Sequence, residues 1–433
     1  MDRYHPEAEE LNSTIKSLRP SIYELLSKRG KEIFFPKSGI IKQGAEAKNK
    51  DLNATVGMAT DDKGIFLNLS SINRLIDLDP EEIFPYAPSA GIPELRKEWQ
   101  RLILSKNPSL DQKISLPIVT CGITHGLNTA GHLFIDPGDK IIVSNLHWEN
   151  YDLIFKYSCG ASFIPFNTFK NKRLDTESLK KALEKREGKQ ILLLNFPHNP
   201  TGYTCSEEEA EEITSIIRDS AERGNKILTI TDDAYFGLVY ESGIYRESIF
   251  SRLSGVHENV LAVKIDGATK EEYAWGFRVG FITFGTKGGD KRVYEALQDK
   301  SAGVVRGTIS SASRLSQTLL LRAIQSQSYE KEKREKFNLL RARYKTVCNV
   351  LKKNNGRYSR LFSPLPFNSG YFMCIQLKNN LDGEKIRQQL LNDYNTGVIA
   401  SGKILRIAFS SIPTDRIEML FENIYDVCRD KTH

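Results

Sequence analysis

The stretch ILLLNFPHNPTGYTCSEEEAEEITSIIRDSAERGNKILTITD (191–232) contains two apolar runs separated by one amphipathic helical pattern. The runs ILLLNF and ILTITD are almost continuously apolar, which is typical of parallel strands covered on both faces. Ser206 and Glu209 form a capping box at the predicted helix start, and Gly224 stands where a C-terminal cap is expected. A strand, a helix and a second strand of this kind predict a parallel β-α-β unit.

Five further apolar runs extend this unit into a larger sheet. They are PIVT (117–120), KIIVS (140–144), SFIPF (162–166), VLAVKID (260–266) and VGFITF (279–284). Because such runs alternate with helical patterns, the sequence predicts an α/β fold with a mostly parallel, doubly wound sheet covered by helices.

The pattern changes near residue 329. A long charged helix, YEKEKREKFNLLRARYKTVCNVLKK (329–353), is followed by the strand GYFMCIQL, a helix and the strand KILRIAFS. This order predicts a smaller α+β domain to which the N-terminal segment also contributes. We therefore expect a large domain over 66–328 and a small domain built from 1–65 together with 329–433.

The composition excludes several classes of protein. Of the 433 residues, 40% are hydrophobic and 27% are charged, as in ordinary globular proteins. No apolar run approaches the roughly 20 residues of a membrane helix, and the start MDRYHPEAEELNST lacks the apolar segment of a secretory signal. The net charge of +7 is spread along the chain, which does not favour a nucleic-acid partner. Six scattered cysteines without metal-ligand spacing favour a cytoplasmic location and no metal site.

Polar side chains follow several predicted strands at the point where each strand ends. They are Asn199 after ILLLNF, Asp232 and Tyr235 after ILTIT, Lys270 after VLAVKID, and the turn 122–126 after PIVT. Ligands of open parallel sheets bind beyond the carboxyl ends of the strands, so we expect these groups to converge. Each has a simpler interpretation when taken alone, as a turn, a helix cap or a solvated lysine. Their joint occurrence in this order favours a binding site.

Six segments carry a resemblance to one enzyme family. They are LNATVGMATDDKG (52–64), YAPSAGIPELRK (86–97), NFPHNPTG (195–202), DDAYFG (232–237), ATKEEYAWGFRVG (268–280) and LRIAF (405–409). Together they resemble the class I and II aminotransferases, which are fold-type I enzymes that use pyridoxal 5′-phosphate, with a pattern most similar to aspartate and aromatic aminotransferases. The resemblance covers about residues 52–406.

This resemblance implies a set of catalytic and ring-binding residues. Lys270 would bind the cofactor covalently and act as the general base. Asp232 would pair with the pyridinium nitrogen and keep it protonated. Tyr235 and Asn199 would hydrogen-bond the phenolic oxygen of the ring, and Trp148, in HWENYDLIF (147–155), would stack on the ring.

The resemblance also implies a phosphate site. The backbone N–H groups of Ile123 and Thr124 at a helix start would bind the phosphate, and Arg278 would supply the counter-charge. Tyr86 would reach the same phosphate from a neighbouring subunit. We therefore expect a homodimer with its sites at the interface.

One position departs from the family pattern. Three residues before the lysine, many relatives carry a serine that bonds the phosphate, whereas this chain has Gly267. Either this hydrogen bond is lost, or another group supplies it, for which Thr269 is the candidate.

Two arginines are candidates for substrate recognition. Arg406 would hold the substrate α-carboxylate as a bidentate fork, helped by the backbone at Gly57. Arg306, in VVRGTISSAS (304–313), stands where aspartate aminotransferases carry the arginine that reads a side-chain carboxylate from the other subunit. The alternative for Arg306 is a salt bridge at the dimer interface.

The sequence therefore predicts an aminotransferase of amino acid metabolism, with a biosynthetic role. It would move the amino group of an L-amino acid to a 2-oxo acid in a ping-pong cycle between pyridoxal and pyridoxamine phosphate. Aspartate, glutamate and aromatic amino acids are the candidate substrates. A pyridoxal-phosphate-dependent C–S β-lyase would use the same Lys270, Asp232 and Arg406 and is the alternative.

Two other classes of protein are disfavoured. A DNA-binding regulator would need a larger N-terminal module than residues 1–50, and a nicotinamide enzyme would need a GxGxxG motif after a strand.

Overall fold

A computed structural model describes residues 4–18, 23, 26, 31–32, 39–55, 57–73, 78–185 and 187–431. Its strands are β1 (Leu52–Asn53), β2 (Ile118–Cys121), β3 (Lys140–Ser144), β4 (Ser162–Phe166), β5 (Phe169–Lys170), β6 (Arg173–Leu174), β7 (Lys189–Asn195), β8 (Lys226–Asp232), β9 (Val260–Gly267), β10 (Val279–Gly285), β11 (Phe362–Pro364), β12 (Met373–Leu377), β13 (Thr396–Gly397), β14 (Ile399–Ser401) and β15 (Ile404–Ile407). Its α-helices are α1 (Pro6–Leu18), α2 (Gly39–Glu46), α3 (Ser70–Asn73), α4 (Pro80–Ile83), α5 (Pro93–Lys106), α6 (Gly122–Phe134), α7 (Thr176–Glu184), α8 (Glu207–Glu222), α9 (Ile249–Leu253), α10 (Lys291–Thr308), α11 (Arg314–Gln325), α12 (Tyr329–Lys353), α13 (Asn355–Tyr358), α14 (Gly383–Asp393) and α15 (Ile417–Asp430). Among these residues, no helix combines the length and the apolar character needed to cross a membrane.

Seven strands form the central sheet in the order β2-β10-β9-β8-β7-β3-β4. Neighbouring strands are parallel except at β10, which runs antiparallel to β2 and β9. Alternate residues of β7 pack into two separate cores, Leu192 and Leu194 into one and Ile191 and Leu193 into the other. Both faces of the sheet are therefore covered. The seven strands are those predicted, and the α/β class with a mostly parallel sheet is confirmed.

Helix α8 shows how local sequence signals set its ends. The Ser206 hydroxyl accepts the Glu209 N–H at 3.1 Å, and the Glu209 carboxylate accepts the Ser206 N–H at 2.8 Å, as the capping box predicts. Gly224 follows the last turn with φ of +94°, a backbone conformation that favours glycine. Between these ends, Ile213 and Ile217 lie one turn apart and are fully buried.

The carboxyl ends of β7, β8 and β9 lie side by side. Asn195 is paired with Asp232, and Asp232 is paired with Ile265 on the next strand. The loops that follow these three strands therefore begin at the same edge of the sheet. This register places the NPTG turn, the DDAYFG turn and the Lys270 turn next to one another.

A second, antiparallel sheet has the order β11-β12-β15-β14 and belongs to the C-terminal part of the chain. The N-terminal segment joins it, because β1 pairs in parallel with β13 and the Gln43 side chain exchanges two hydrogen bonds with the Ala400 backbone, at 2.9 and 2.6 Å. Of the predicted small domain, residues 1–3, 19–22, 24–25, 27–30, 33–38, 56 and 432–433 lie outside the described residues.

Candidate active site

Asp232 ends β8 and is 3% exposed. Its carboxylate accepts a hydrogen bond from the Tyr151 hydroxyl at 2.6 Å and one from the Ala234 N–H at 3.1 Å. Burial raises the pKa of Asp232 to about 6, although these two hydrogen bonds lower it. The group is thus a buried carboxylate that ionises just below neutral pH.

Tyr151 was not predicted from the sequence. It stands three residues after Trp148, and its ring meets the Trp148 ring edge-on at 5.6 Å between centroids. Its side chain is 1% exposed. In the sequence it is an aromatic residue in an apolar stretch, which does not indicate a polar role for its hydroxyl. Its position after the predicted stacking tryptophan is the one signal that pointed to the site.

We expect Tyr151→Phe to raise the pKa of Asp232 by about one unit, because it removes a hydrogen bond that favours the ionised carboxylate. The folded-state pKa lies above the ordinary value of 3.8. Protonation of Asp232 therefore stabilises the folded state below about pH 4, and this stabilisation is lost as the pH rises through about 6. Urea midpoints of the cofactor-free protein between pH 4 and 8 should show that this loss of stability occurs at a higher pH in Tyr151→Phe.

The control for this measurement is Asp232→Asn, which has no proton to lose and should lack this part of the decline. Superimposable profiles for Tyr151→Phe and the unchanged protein would show that the hydrogen bond does not tune the carboxylate.

Lys270 lies in the turn after β9, and its Nζ donates a hydrogen bond to the Gly57 carbonyl at 2.9 Å. Burial, together with the charges of Arg278 and Arg406, lowers the pKa of Lys270 to about 8, against the opposing effect of Asp232. About a tenth of the amine is then neutral at pH 7, far more than for an ordinary lysine. A neutral amine is the form that attacks a carbonyl or accepts a proton.

Tyr235 is 4% exposed and packs edge-on against Tyr371 and Phe372, with ring centroids 5.3 and 5.5 Å away. Burial raises its pKa, so the phenol stays protonated and can donate a hydrogen bond. The Lys270 Nζ lies 5.2 Å from the Tyr235 ring centroid. Tyr371, which was also not predicted, donates its hydroxyl to the Lys270 carbonyl at 2.8 Å and so holds the lysine turn in place.

The start of α6 forms a cradle of backbone N–H groups. Its first residues are Gly122, Ile123 and Thr124, and no side chain caps them. The Arg278 guanidinium lies directly beside Gly122, where an added Cβ would come within 2.4 Å of Nη2. A helix N-terminus with an adjacent cation is suited to a phosphate.

Gly267 has no room for the serine found in many relatives. An added Cβ would lie 2.6 Å from the Val279 carbonyl oxygen and 2.8 Å from the Gly280 Cα, both of which are backbone atoms. Close approach of β9 and β10 therefore requires glycine here. The Thr269 hydroxyl oxygen is buried and has no hydrogen-bond partner among the described residues. Buried hydroxyls usually have a partner, so this hydroxyl is suited to donate to a ligand.

Arg406 lies on β15 and is 7% exposed. Its guanidinium makes two long hydrogen bonds, 3.5 Å to the Asn199 side-chain oxygen and 3.3 Å to the Thr55 carbonyl, and its Nε has no partner among the described residues. The Phe372 ring lies under it, 4.5 Å from centroid to Cζ. Burial lowers the pKa of Arg406, but the group keeps its charge. A buried guanidinium with unused donors is suited to a carboxylate.

Comparison with known proteins agrees with this geometry. Residues 51–424 match the sequence profile of the family Aminotransferase class I and II. The chain belongs to the class I and II aminotransferase family. This confirms the resemblance given by the six motifs.

Several members of the family are similar to this chain. It is 26% identical to the aspartate aminotransferase of Bacillus sp. (strain YM-2) over 278 residues, 63% of either chain. It is 28% identical to the probable aspartate/prephenate aminotransferase of Aquifex aeolicus over 200 residues, 46% of this chain and 48% of that one. The matched region thus spans less than two thirds of the length of these curated relatives. The crystal structure of an aminotransferase from Anaerococcus prevotii superposes with a TM-score of 0.82 at 25% identity, covering 93% of this chain and 98% of that one.

Class I and II aminotransferases use pyridoxal 5′-phosphate, and the residues of this site fit that group. The cradle at Gly122 with Arg278 and the unpartnered Thr269 hydroxyl suit its phosphate. Lys270, with its lowered pKa, suits its aldehyde, and Asp232 suits its ring nitrogen.

Two residues predicted for this family site are exposed in this structure. Tyr86 is 88% exposed. Arg306, in the last turn of α10, is also exposed and donates a hydrogen bond to the Ser310 hydroxyl at 2.8 Å. Both roles depend on a neighbouring subunit, so they stay predictions.

Proposed function

We propose that the protein is a pyridoxal-phosphate-dependent aminotransferase, which transfers the amino group of an L-amino acid to a 2-oxo acid in a ping-pong cycle. The observation that carries the proposal is the grouping of Lys270 and Asp232 at one edge of the central sheet with Arg406 of β15 beside them. They combine an amine of lowered pKa, a buried carboxylate and a buried guanidinium with unused donors. Family membership supports the same reaction class.

Each of these residues has a defined task. Bound pyridoxal phosphate supplies an electron sink for the negative charge that develops at the substrate Cα. Arg406 binds the α-carboxylate and so orients the Cα–H bond towards the lysine. Lys270 Nζ takes the Cα proton and later delivers it again, which its lowered pKa permits near neutral pH. Asp232, ionised above about pH 6, holds the proton on the ring nitrogen.

Further residues would hold the cofactor and not move protons. We propose that Tyr235 and Asn199 donate hydrogen bonds to the phenolic oxygen and that Trp148 stacks on the ring. Ile123, Thr124 and Arg278 would bind the phosphate, with Thr269 in place of the family serine. The close packing around Gly267 supports this last substitution.

Transfer is tested with about a dozen amino acids as donors and either pyruvate or 2-oxoglutarate as acceptor. Formation of alanine or glutamate from the acceptor is the expected result. Release of pyruvate and ammonia from cysteine conjugates without any acceptor would instead indicate the C–S β-lyase reaction.

Replacing Arg406 with glutamine is expected to raise KM about 10- to 100-fold for every amino acid, because charge-assisted hydrogen bonds to the shared α-carboxylate are lost. Initial rates with alanine, phenylalanine, aspartate and lysine measure this. Arg306→Gln is the matched control, and its effect should be restricted to dicarboxylic substrates. If Arg406→Gln affected only dicarboxylic substrates, the roles of the two arginines would be exchanged.

We also infer a homodimer, a cytoplasmic location and a role in amino acid biosynthesis, with amino and oxo acids as the small-molecule partners. The exposed Tyr86, with neighbouring Phe84 81% exposed, supports a subunit interface. The described residues contain no disulfide, which supports a reducing compartment. The division into a domain over 66–328 and one over 1–65 with 329–433 is supported by the separate sheets and the β1–β13 pairing.

A further inference from the structure

A cavity of about 270 Å³ opens beside the site, between the central sheet and β14–β15. Arg406 and Asn199 line it together with the apolar side chains of Trp148, Ile399 and Ile404. The buried Arg406 with its unpartnered Nε is suited to a ligand carboxylate. An amino acid held there by its α-carboxylate would extend its side chain along the apolar wall.

Two carboxylates also belong to the wall of this cavity. Glu149 and Asp152 line it, and of the described lining residues Arg406 is the single lysine or arginine. Asp152 is already paired with Lys156. The Glu149 side chain has no hydrogen bond or ion pair with any described residue and lies against Gly39, where an added Cβ would be 3.1 Å from Oε2. Glu149 is therefore an exposed carboxylate at the cavity wall, and its negative charge also acts on Arg406.

We propose that Glu149 is a specificity-determining residue that selects amino donors whose side chain ends in a cation, such as lysine or ornithine. A substrate of this kind has a chemical counterpart for each part among the lining residues. Its α-carboxylate would bind Arg406, its methylene chain would contact Trp148, Ile399 and Ile404, and its terminal ammonium would pair with Glu149. This inference rests on the proposed aminotransferase function and names the substrate class for it.

An amino donor whose side chain ends in a carboxylate would be disfavoured in this cavity. It would approach Glu149 with like charge and find no described lysine or arginine besides Arg406, which is engaged by the α-carboxylate. Recognition of aspartate or glutamate would thus depend on Arg306 of a second copy. The two hypotheses predict opposite orders of donor preference.

The test compares lysine with norleucine, its uncharged analogue, using pyruvate as acceptor so that no second carboxylate enters the cavity. We expect the holoenzyme to favour lysine over norleucine in kcat/KM by about 10-fold or more, and Glu149→Gln to lower that ratio by about 10-fold. The matched control is Glu177→Gln, an exposed glutamate on α7 paired with Lys181, which should leave the ratio unchanged.

A binding measurement separates this inference from the reaction itself. Calorimetry with the holoenzyme compares 6-aminohexanoate, hexanoate and adipate, none of which has an α-amino group to transfer. Tighter binding of 6-aminohexanoate than of hexanoate by about 10-fold, lost in Glu149→Gln, would support the inference even if amino transfer failed. Equal binding of these two ligands, tightest binding of adipate, or an unchanged preference in Glu149→Gln would overturn it.

Discussion

Replacing Lys270 with alanine is expected to lower the rate of amino transfer by about 10⁴-fold or more, the upper end of what a positioned acid–base group contributes. No other lysine is placed against both Gly57 and Tyr235 at this edge of the sheet among the described residues. The loss should appear in kcat, because the amine acts on the bound substrate and does not hold its carboxylate. Single-turnover rates with a good amino donor measure it.

Two controls accompany this variant. Lys287→Ala removes an exposed lysine from the turn after β10 and should leave the rate unchanged. The melting temperature of Lys270→Ala should stay close to that of the unchanged protein, since the side chain makes one hydrogen bond. A folded Lys270→Ala protein with more than about a hundredth of the original rate would exclude Lys270 as the general base.

The second large effect is on stability and concerns a buried ion cluster beneath the site. Lys264 is fully buried on β9, with its ammonium paired to Asp233 and 3.3 Å from Asp266. Trp99 donates its indole N–H to Asp266 at 3.0 Å, and the Ser248 hydroxyl donates to Asp233. We expect Lys264→Met to reduce the free energy of unfolding by about 3–5 kcal/mol, because two carboxylates lose their buried counter-charge.

Urea unfolding measures this loss. Lys291→Met is the matched control, since Lys291 forms a pair with Glu295 but its side chain is 86% exposed. That substitution should change stability by less than about 1 kcal/mol. A similar small loss for Lys264→Met would mean that the two carboxylates are stabilised without the lysine.

The sequence predicted the sheet well because the signals that form it are local. The strand β7 and helix α8 follow from an apolar run and a capping box that are contiguous in the chain. The convergence of Asp232 and Lys270 followed from a general rule about strand ends in parallel sheets. These elements need no knowledge of distant side chains.

Features that depend on packing between distant segments were not predicted. Lys264 stands inside an apolar run, and its burial depends on Asp233, which directly follows the neighbouring strand β8. Tyr151 gains its role from a carboxylate 81 residues away. Gly267 departed from the family pattern for a reason visible only in the approach of β10. Glu149 follows Trp148 directly, but nothing in its neighbours showed that it faces the same cavity as Arg406.

The central claim is that Lys270 carries pyridoxal 5′-phosphate. The most direct measurement is borohydride reduction of the purified protein in the presence of the cofactor, followed by peptide mass spectrometry. We expect one reduced adduct, on the peptide containing Lys270, and none in Lys270→Ala. A protein that stays colourless with the cofactor, or an adduct on another lysine with Lys270 unmodified, would contradict the claim.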